Sequence, residues 1–208
     1  MFTKKYLLNN NWSRNHWHDQ YVIKAKKINV RSRAWFKLDE IDKKNKIFKS
    51  GMTVIDLGAS PGSWSQFAIN KIGISGKVIA CDILSMIPIP GVKFLQGNLE
   101  DMDTINTIFK ILNYNKVNIV MSDMSPNISG IPAIDIPKAR YLNEIALTLS
   151  NNILIAGGSF IVKVFHGDGF NEYCKKIFKF FLNVKTYKPK ASLSKSREVY
   201  IIATGYKT

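Results

Sequence analysis

The sequence predicts an α/β fold built on a doubly wound, mostly parallel sheet. Three observations predict it. From residue 53 onward, short apolar segments alternate with amphipathic ones. The first apolar segment, Thr53 to Leu57, runs into the turn Gly58-Ala-Ser-Pro-Gly62. A helical pattern, Ser63 to Ile72, follows with apolar residues at Trp64, Phe67, Ala68 and Ile72. The last two strand segments are joined by residues 189–197, which hold no helical run. That pair must be antiparallel, because a parallel pair needs a long crossover.

Residues 1–30 are polar and basic, with Trp12, Trp17 and Tyr21 set among Arg14, Lys24, Lys26 and Lys27. We divide the chain into this arm, 1–30, and one domain, 31–208. Aromatics among cations suit stacking on RNA bases beside phosphate contacts, or simple docking of the arm on the domain. Residues 31–48 read as a helix with an apolar stripe at Ala34, Leu38 and Ile41 and a polar one at Arg33, Lys37, Glu40 and Lys44. On pattern alone Lys37 is a surface lysine. Strands are predicted at 53–57, 77–81, 92–96, 117–122, 159–165, 183–188 and 198–204. Further helices are predicted at 63–72, 101–112, 138–155 and 169–181.

The glycine turn places bare backbone at a helix start, where a nucleotide-sized ligand can lie. It lacks the Gly-Lys-Ser/Thr of a phosphate-gripping P-loop and is not the Gly-x-Gly-x-x-Gly of dinucleotide sites. The 208 residues carry a net charge of +15, unevenly placed. Residues 1–50 hold 13 Lys/Arg against 4 Asp/Glu, residues 51–162 hold 7 against 8, and residues 163–208 hold 10 against 3. A near-neutral centre between basic ends points to a core flanked by a polyanion-gripping surface. Cys81 and Cys174 lack metal-ligand spacing and read as reduced thiols of a cytoplasmic protein. No apolar run reaches membrane length, and no leader is read at the start.

Ligands of such sheets bind outside the carboxyl ends of the strands, so polar residues there are candidates. Asp82 follows the second strand and can accept both hydroxyls of an adenosine ribose. Asn98 follows the third and could meet an adenine edge or shape the turn. Asp123 ends the fourth, at the innermost position of the cleft. Lys163 interrupts an otherwise apolar strand; buried, it must face a carboxylate or the cleft. Glu198 opens the last strand. If that strand is antiparallel, Asp123, Lys163 and Glu198 converge.

Arg33-Ala-Trp-Phe-Lys-Leu38, Asp56-Leu-Gly-Ala-Ser-Pro-Gly-Ser-Trp64, Val120-Met-Ser-Asp-Met-Ser-Pro-Asn127, Asp135-Ile-Pro137, Gly157-Gly-Ser-Phe-Ile-Val-Lys-Val-Phe165 and Ser196-Arg-Glu-Val-Tyr200 follow one another in order. Together they resemble the FtsJ/RrmJ family of RNA 2′-O-ribose methyltransferases, in its bacterial large-subunit branch. The resemblance implies a Rossmann-like, seven-stranded methyltransferase fold that binds S-adenosylmethionine, with no metal. It implies a catalytic tetrad, Lys37, Asp123, Lys163 and Glu198. It also implies cofactor positions at Gly62, Trp64, Asp82, Asn98 and Asp123. The family usually has an acid where Asn98 stands. The substrate implied is a uridine ribose in the A-loop of 23S ribosomal RNA. The implied partner is the assembled large (50S) subunit, with no membrane and no obligate protein partner. Arg31, Arg33, Lys188, Lys190, Lys195 and Arg197 are candidate phosphate contacts beside the cleft.

Three rivals were weighed. A non-enzymatic RNA-binding assembly factor on the same fold should have lost tetrad residues, and all four are kept. An amino-group methyltransferase typically shows Asp/Asn-Pro-Pro-aromatic after the fourth strand, and Asp123-Met-Ser-Pro126 lacks it. A nicotinamide dehydrogenase is disfavoured by the glycine turn.

Overall fold

The structure is a computed structural model that describes residues 19–207. Trp12, Arg14 and Trp17 of the basic arm lie outside the described residues. The elements are α1 (Gln20–Lys27), α2 (Ala34–Asn45), β1 (Thr53–Leu57), α3 (Ser63–Ile72), β2 (Lys77–Asp82), β3 (Val92–Gln96) and α4 (Met102–Ile111). There follow β4 (Val117–Ser122), α5 (Pro132–Ile153), β5 (Leu154–Phe165), α6 (Phe170–Phe180), β6 (Phe181–Tyr187) and β7 (Glu198–Tyr206).

The seven strands lie in the order β3-β2-β1-β4-β5-β7-β6. The first five pair in parallel, and β7 runs antiparallel between β5 and β6. This is the Rossmann-like methyltransferase architecture that the sequence predicts. The strand order reverses between β1 and β4, which opens the crevice beyond their carboxyl ends. Because β7 is antiparallel, its first residue lies at that same edge, and Phe165 at the end of β5 pairs with Glu198.

Alternation along each strand splits the core in two. Ile55, Leu57, Ile79, Val120, Phe160 and Val162 face one way and pack with Ile108 of α4, Leu147 of α5 and Ile177 of α6. Val54, Val78, Ile119, Met121 and Ile161 face the other way, under Leu38 and Ile41 of α2 and Trp64 and Phe67 of α3. Each of these large side chains contributes about 1.5–3 kcal/mol by leaving water.

The chain departs from the predicted boundaries in places. The helix predicted from 138 begins at Pro132, whose missing N–H costs nothing in a first turn. Asp135 secures that start. Its carboxylate accepts from Ser129 N at 2.9 Å, Ser129 Oγ at 2.8 Å and Gly130 N at 3.0 Å. Pro137 is carried inside the helix. Strand β5 begins at Leu154 rather than 159. Its register shifts between Val117 and Ile119 of the partner strand, where a bulge at Gly157 and Gly158 hides the early pairing. Residues 20–27 form a helix that the sequence reading leaves as an arm. Asp19 caps it, and Tyr21 packs against Phe36 with ring centroids 5.4 Å apart.

Candidate active site

Three charged residues singled out at the strand ends, and Lys37, which the resemblance adds, come from separate parts of the chain. Lys37 comes from the first turn of α2, Asp123 from the residue after β4, Lys163 from β5 and Glu198 from the start of β7. The structure brings them together in two ion pairs. Lys37 Nζ lies 2.6 Å from Glu198 Oε1, and Lys163 Nζ lies 3.2 Å from Asp123 Oδ1. Lys163 also donates to the Asp123 carbonyl at 2.7 Å. Lys37 is 9% exposed, so it is not the solvated lysine that its helix pattern suggests, and Lys163 is 8% exposed, as its apolar strand requires. Helix α2 packs Leu38 and Ile41 on the sheet face, and its first turn sets Lys37 against Glu198 and Tyr200.

Tyr200, which reads in the sequence as a core aromatic, lies between these pairs. It is fully buried and sits opposite Lys163 in the β5–β7 ladder. Its hydroxyl donates to Asp123 Oδ1 at 2.9 Å, and Lys37 Nζ lies 5.7 Å from its ring centre. The signal available in sequence was the alternation of β7. Glu198 and Tyr200 are two apart and share a face. Ser192 adds a further contact, donating to Glu198 Oε1 at 2.7 Å.

Burial pushes the Asp123 carboxyl up. The charges of Lys163 and Lys37, with hydrogen bonds from Tyr200 and Lys163, outweigh it and hold the group below the ordinary carboxylate range. Tyr200→Phe removes one of those donors and keeps the ring. It should lower turnover about 10- to 100-fold, the worth of one hydrogen bond to a charged group. Asp123 should then titrate at higher pH, so the acid limb of the rate profile should move upward. A limb that stays in place would show that the hydroxyl does not act through Asp123.

Asp56, at the same edge, takes the opposite course. Burial pushes its carboxyl up to about 7, against the hydrogen bond from Ser65 Oγ at 2.6 Å. Its Oδ1 is buried without a partner, which leaves one acceptor beside the glycine turn for a ligand donor or a water.

The positions expected to hold a cofactor are more occupied by the protein itself than the sequence predicts. Gly58 does not clear space for a ligand. A Cβ there would lie 2.7 Å from Met124 Cγ and 2.9 Å from its backbone N, so the glycine admits the chain after β4. At Gly62 (φ 103°) a Cβ would meet Met86 Sδ at 2.7 Å and Ile89 Cδ1 at 2.9 Å. The Trp64 side chain is buried, with Nε1 bonded to the Ala34 carbonyl at 3.0 Å. What this residue offers a ligand is therefore its main-chain N–H in the first turn of α3. Asp82 accepts from Ser60 N and Leu84 N, each at 2.8 Å, and both carboxylate oxygens keep a second lone pair. Asn98 Oδ1 accepts from Glu100 N at 3.1 Å. Helix-start N–H groups, a carboxylate at the end of β2 and the open acceptor of Asp56 fit a nucleoside carrying an amino-acid tail. Among the described residues, no group of three or more His, Cys, Asp and Glu is placed to hold a metal ion.

Two candidate phosphate contacts make bonds within the protein. The Arg31 guanidinium donates to the carbonyls of Pro61 at 2.8 Å, Ile87 at 2.6 Å and Pro88 at 2.8 Å. It clamps the glycine turn to the loop after β2. Arg33 pairs with Asp19 and donates to the Ala191 carbonyl. Both lie where RNA contact is predicted, and local carbonyls and a carboxylate take their donors first. Lys188 Nζ donates to the carbonyls of Ser194 and Ser196 at 3.2 and 2.7 Å. Lys190, Lys195 and Arg197 are exposed.

Residues 30–206 match the family described as FtsJ-like methyltransferase. Among solved structures, the chain is similar to a Plasmodium falciparum protein provisionally assigned as a ribosomal RNA methyltransferase. That likeness has 29% identity and a TM-score of 0.75, and covers 85% of this chain and 98% of the other. It is also similar to a Clostridium thermocellum protein provisionally assigned as an rRNA methylase. There the identity is 20% and the TM-score 0.52, over 81% and 97% of the two chains. A Lactococcus lactis protein provisionally assigned as a hemolysin matches at 15% identity and a TM-score of 0.58, over 83% and 86%. The last two likenesses concern the fold alone, and their differing assignments show that this fold does not by itself fix an activity.

Proposed function

The chain belongs to the FtsJ-like methyltransferase family, and we propose that it is an S-adenosylmethionine-dependent RNA 2′-O-ribose methyltransferase. The proposed substrate is a uridine in the A-loop of 23S ribosomal RNA in the assembled large subunit. This is the activity of the bacterial large subunit methyltransferase E, carried out in the cytoplasm. Residues 31–208 form the proposed catalytic domain and 1–30 a basic arm. One observation carries the reading: two lysine–carboxylate pairs, Lys37–Glu198 and Lys163–Asp123, meet at the strand edge beside the glycine turn. The similarity to the Plasmodium protein supports the RNA part.

The main-chain N–H of Trp64, the Cβ-free backbone at Gly62 and the side chains of Asp82, Asn98 and Asp123 would hold the cofactor; the Gly62 N–H itself is donated to the Ala59 carbonyl at 2.6 Å. Asn98 shares its oxygen with Glu100, so it contributes a weaker contact than an acid would. When bound, S-adenosylmethionine supplies an electrophilic methyl group on a sulfonium. The chain's own work is to place a ribose 2′-hydroxyl in line with that methyl and to manage its proton. Lys163 Nζ is the group we assign to the hydroxyl oxygen, either taking its proton or stabilising the charge that develops there. Asp123 orients Lys163 through its carbonyl and its carboxylate. Glu198 and Ser192 hold Lys37 on the opposite side of Tyr200.

The test is transfer of tritiated methyl from the cofactor to large subunits isolated from cells lacking this protein, with the modified position mapped on the RNA. Label at one A-loop uridine 2′-oxygen is expected. Label on a base nitrogen or on protein, or none at all, would overturn the proposal.

A further inference from the structure

We propose that the cleft between the C-terminal end of α2 and the β6–β7 edge is a phosphate-binding station for the RNA strand, separate from the catalytic cluster. The inference rests on the RNA reading above. The cleft measures about 290 Å³ and is lined by Lys44, Asn45, Asn183, Lys185, Ile202 and Thr204. Two are cations, three are neutral hydrogen-bonding side chains, and none is acidic. This is the chemistry that recognises a phosphodiester, through ammonium charge supplemented by amide and hydroxyl donors.

The fold explains why the cleft is open. Strand β6 is the sheet edge, and β7 is its only strand neighbour. Helix α2 covers this face only as far as Tyr187, whose hydroxyl donates to Glu40. Beyond that point Lys185 pairs with Ile202 and Asn183 with Thr204, and among the described residues Lys44 and Asn45 at the end of α2 line the cleft with them. Lys44 Nζ stands 4.0 Å from the centre of the Tyr187 ring. That contact aims the ammonium without neutralising it. The nearby acids are engaged elsewhere. Glu40 is taken by Tyr187 and by Lys190 N, and Asp42 by Lys71 and the backbone after α2. Lys185 makes no ion pair among the described residues.

The position suits a strand that enters the catalytic cluster. Lys37 and Lys44 lie seven residues apart on α2, so they share a face roughly 10 Å apart along the axis. A single strand spans that distance in a few nucleotides. A lysine on an edge strand also guards against edge-to-edge pairing. That role accounts for Lys185, but not for Lys44 and Asn45 facing it from a helix.

The experiment measures binding of a fluorescein-labelled oligouridylate to the full chain by anisotropy across a salt series. Lys44→Gln with Lys185→Gln should weaken binding about tenfold at low salt. It should also flatten the slope of log K against log salt by about 1.4, at about 0.7 per phosphate contact on a single strand. Lys185→Gln alone, on an exposed side chain, should give half that change in slope and guards against a folding defect at Lys44. Methyl transfer at saturating RNA and affinity for the cofactor should stay unchanged. A slope equal to that of the wild type overturns the site and leaves the RNA reading standing. A variant that self-associates while keeping the wild-type slope assigns Lys185 to edge protection and also overturns it. Wild-type protein that binds the strand without salt dependence overturns both.

Discussion

Lys163→Ala should abolish methyl transfer, by about a thousandfold or more, and leave binding of S-adenosylmethionine nearly intact. The size follows from what the amine is asked to do. Handling a proton in the transition state is worth about 10²–10⁴, and stabilising a developing oxyanion adds to that. The selectivity follows from position. Lys163 reaches its partners from β5, while the expected cofactor positions stand on the far side of Asp123, along β1, β2 and their loops. The β5 backbone keeps its ladder to β4 and β7 in the variant, so the sheet edge is not lost. Lys163→Met fills the same space without the charge and should be equally inactive, which separates chemistry from a cavity. Single-turnover transfer and calorimetric cofactor binding measure the two halves. Lost cofactor binding with retained turnover would refute the assignment.

The fold was largely legible because its signals are local and repeat. Alternation of strand and helix, the glycine turn and the helix-free loop before β7 each depend on a few neighbouring residues. Lys163 was legible too, since a lysine inside Phe160-Ile-Val-Lys-Val-Phe165 has no bland place to go. Lys37 was not, because its own helix pattern assigns it to solvent. Only the tertiary packing of α2, which sets Lys37 against Glu198 and Tyr200, buries it. The resemblance supplied that residue, and periodicity did not. Tyr200 was missed for a related reason: an aromatic in an apolar strand reads as core until a carboxylate is found 2.9 Å from its hydroxyl. Arg31 and Arg33 failed in the other direction. Charge alone sends an arginine to phosphate, and sequence cannot reveal that three carbonyls from distant loops converge on one guanidinium. The glycine turn reads as bare backbone for a ligand, and the atoms that crowd the missing Cβ positions of Gly58 and Gly62 belong to Met124, Met86 and Ile89.

Asp123→Asn should remove activity, weaken the cofactor and destabilise the fold in a way that depends on pH. Asparagine keeps the shape and the acceptor oxygen but loses the charge that faces Lys163 and Lys37. Breaking a buried pair by removing one partner costs about 3–5 kcal/mol, because the remaining charge stays desolvated. Lys37 retains Glu198 as its counter-ion, so the cost should sit towards the low end of that range. The pH dependence follows from the sign of the shift. Asp123 titrates below its unfolded value of about 3.9, so its contribution is complete above that pH. It is lost as pH falls through the folded value, where the wild-type carboxyl takes up a proton and becomes neutral like the amide. Denaturant unfolding should therefore give a gap between wild type and variant that is full near pH 5 and closes below about pH 4. Asp56 cannot mimic this. Its carboxyl is raised to about 7, so its contribution is greatest in acid and declines as pH rises from the unfolded value to 7. The Asp123 charge is one cause of that rise, so Asp56 titrates lower in the variant and narrows the gap only as pH rises toward 7. A gap that persists undiminished into acid would mean that the charge of Asp123 is not what stabilises the fold. The two lysines would then need another counter-ion.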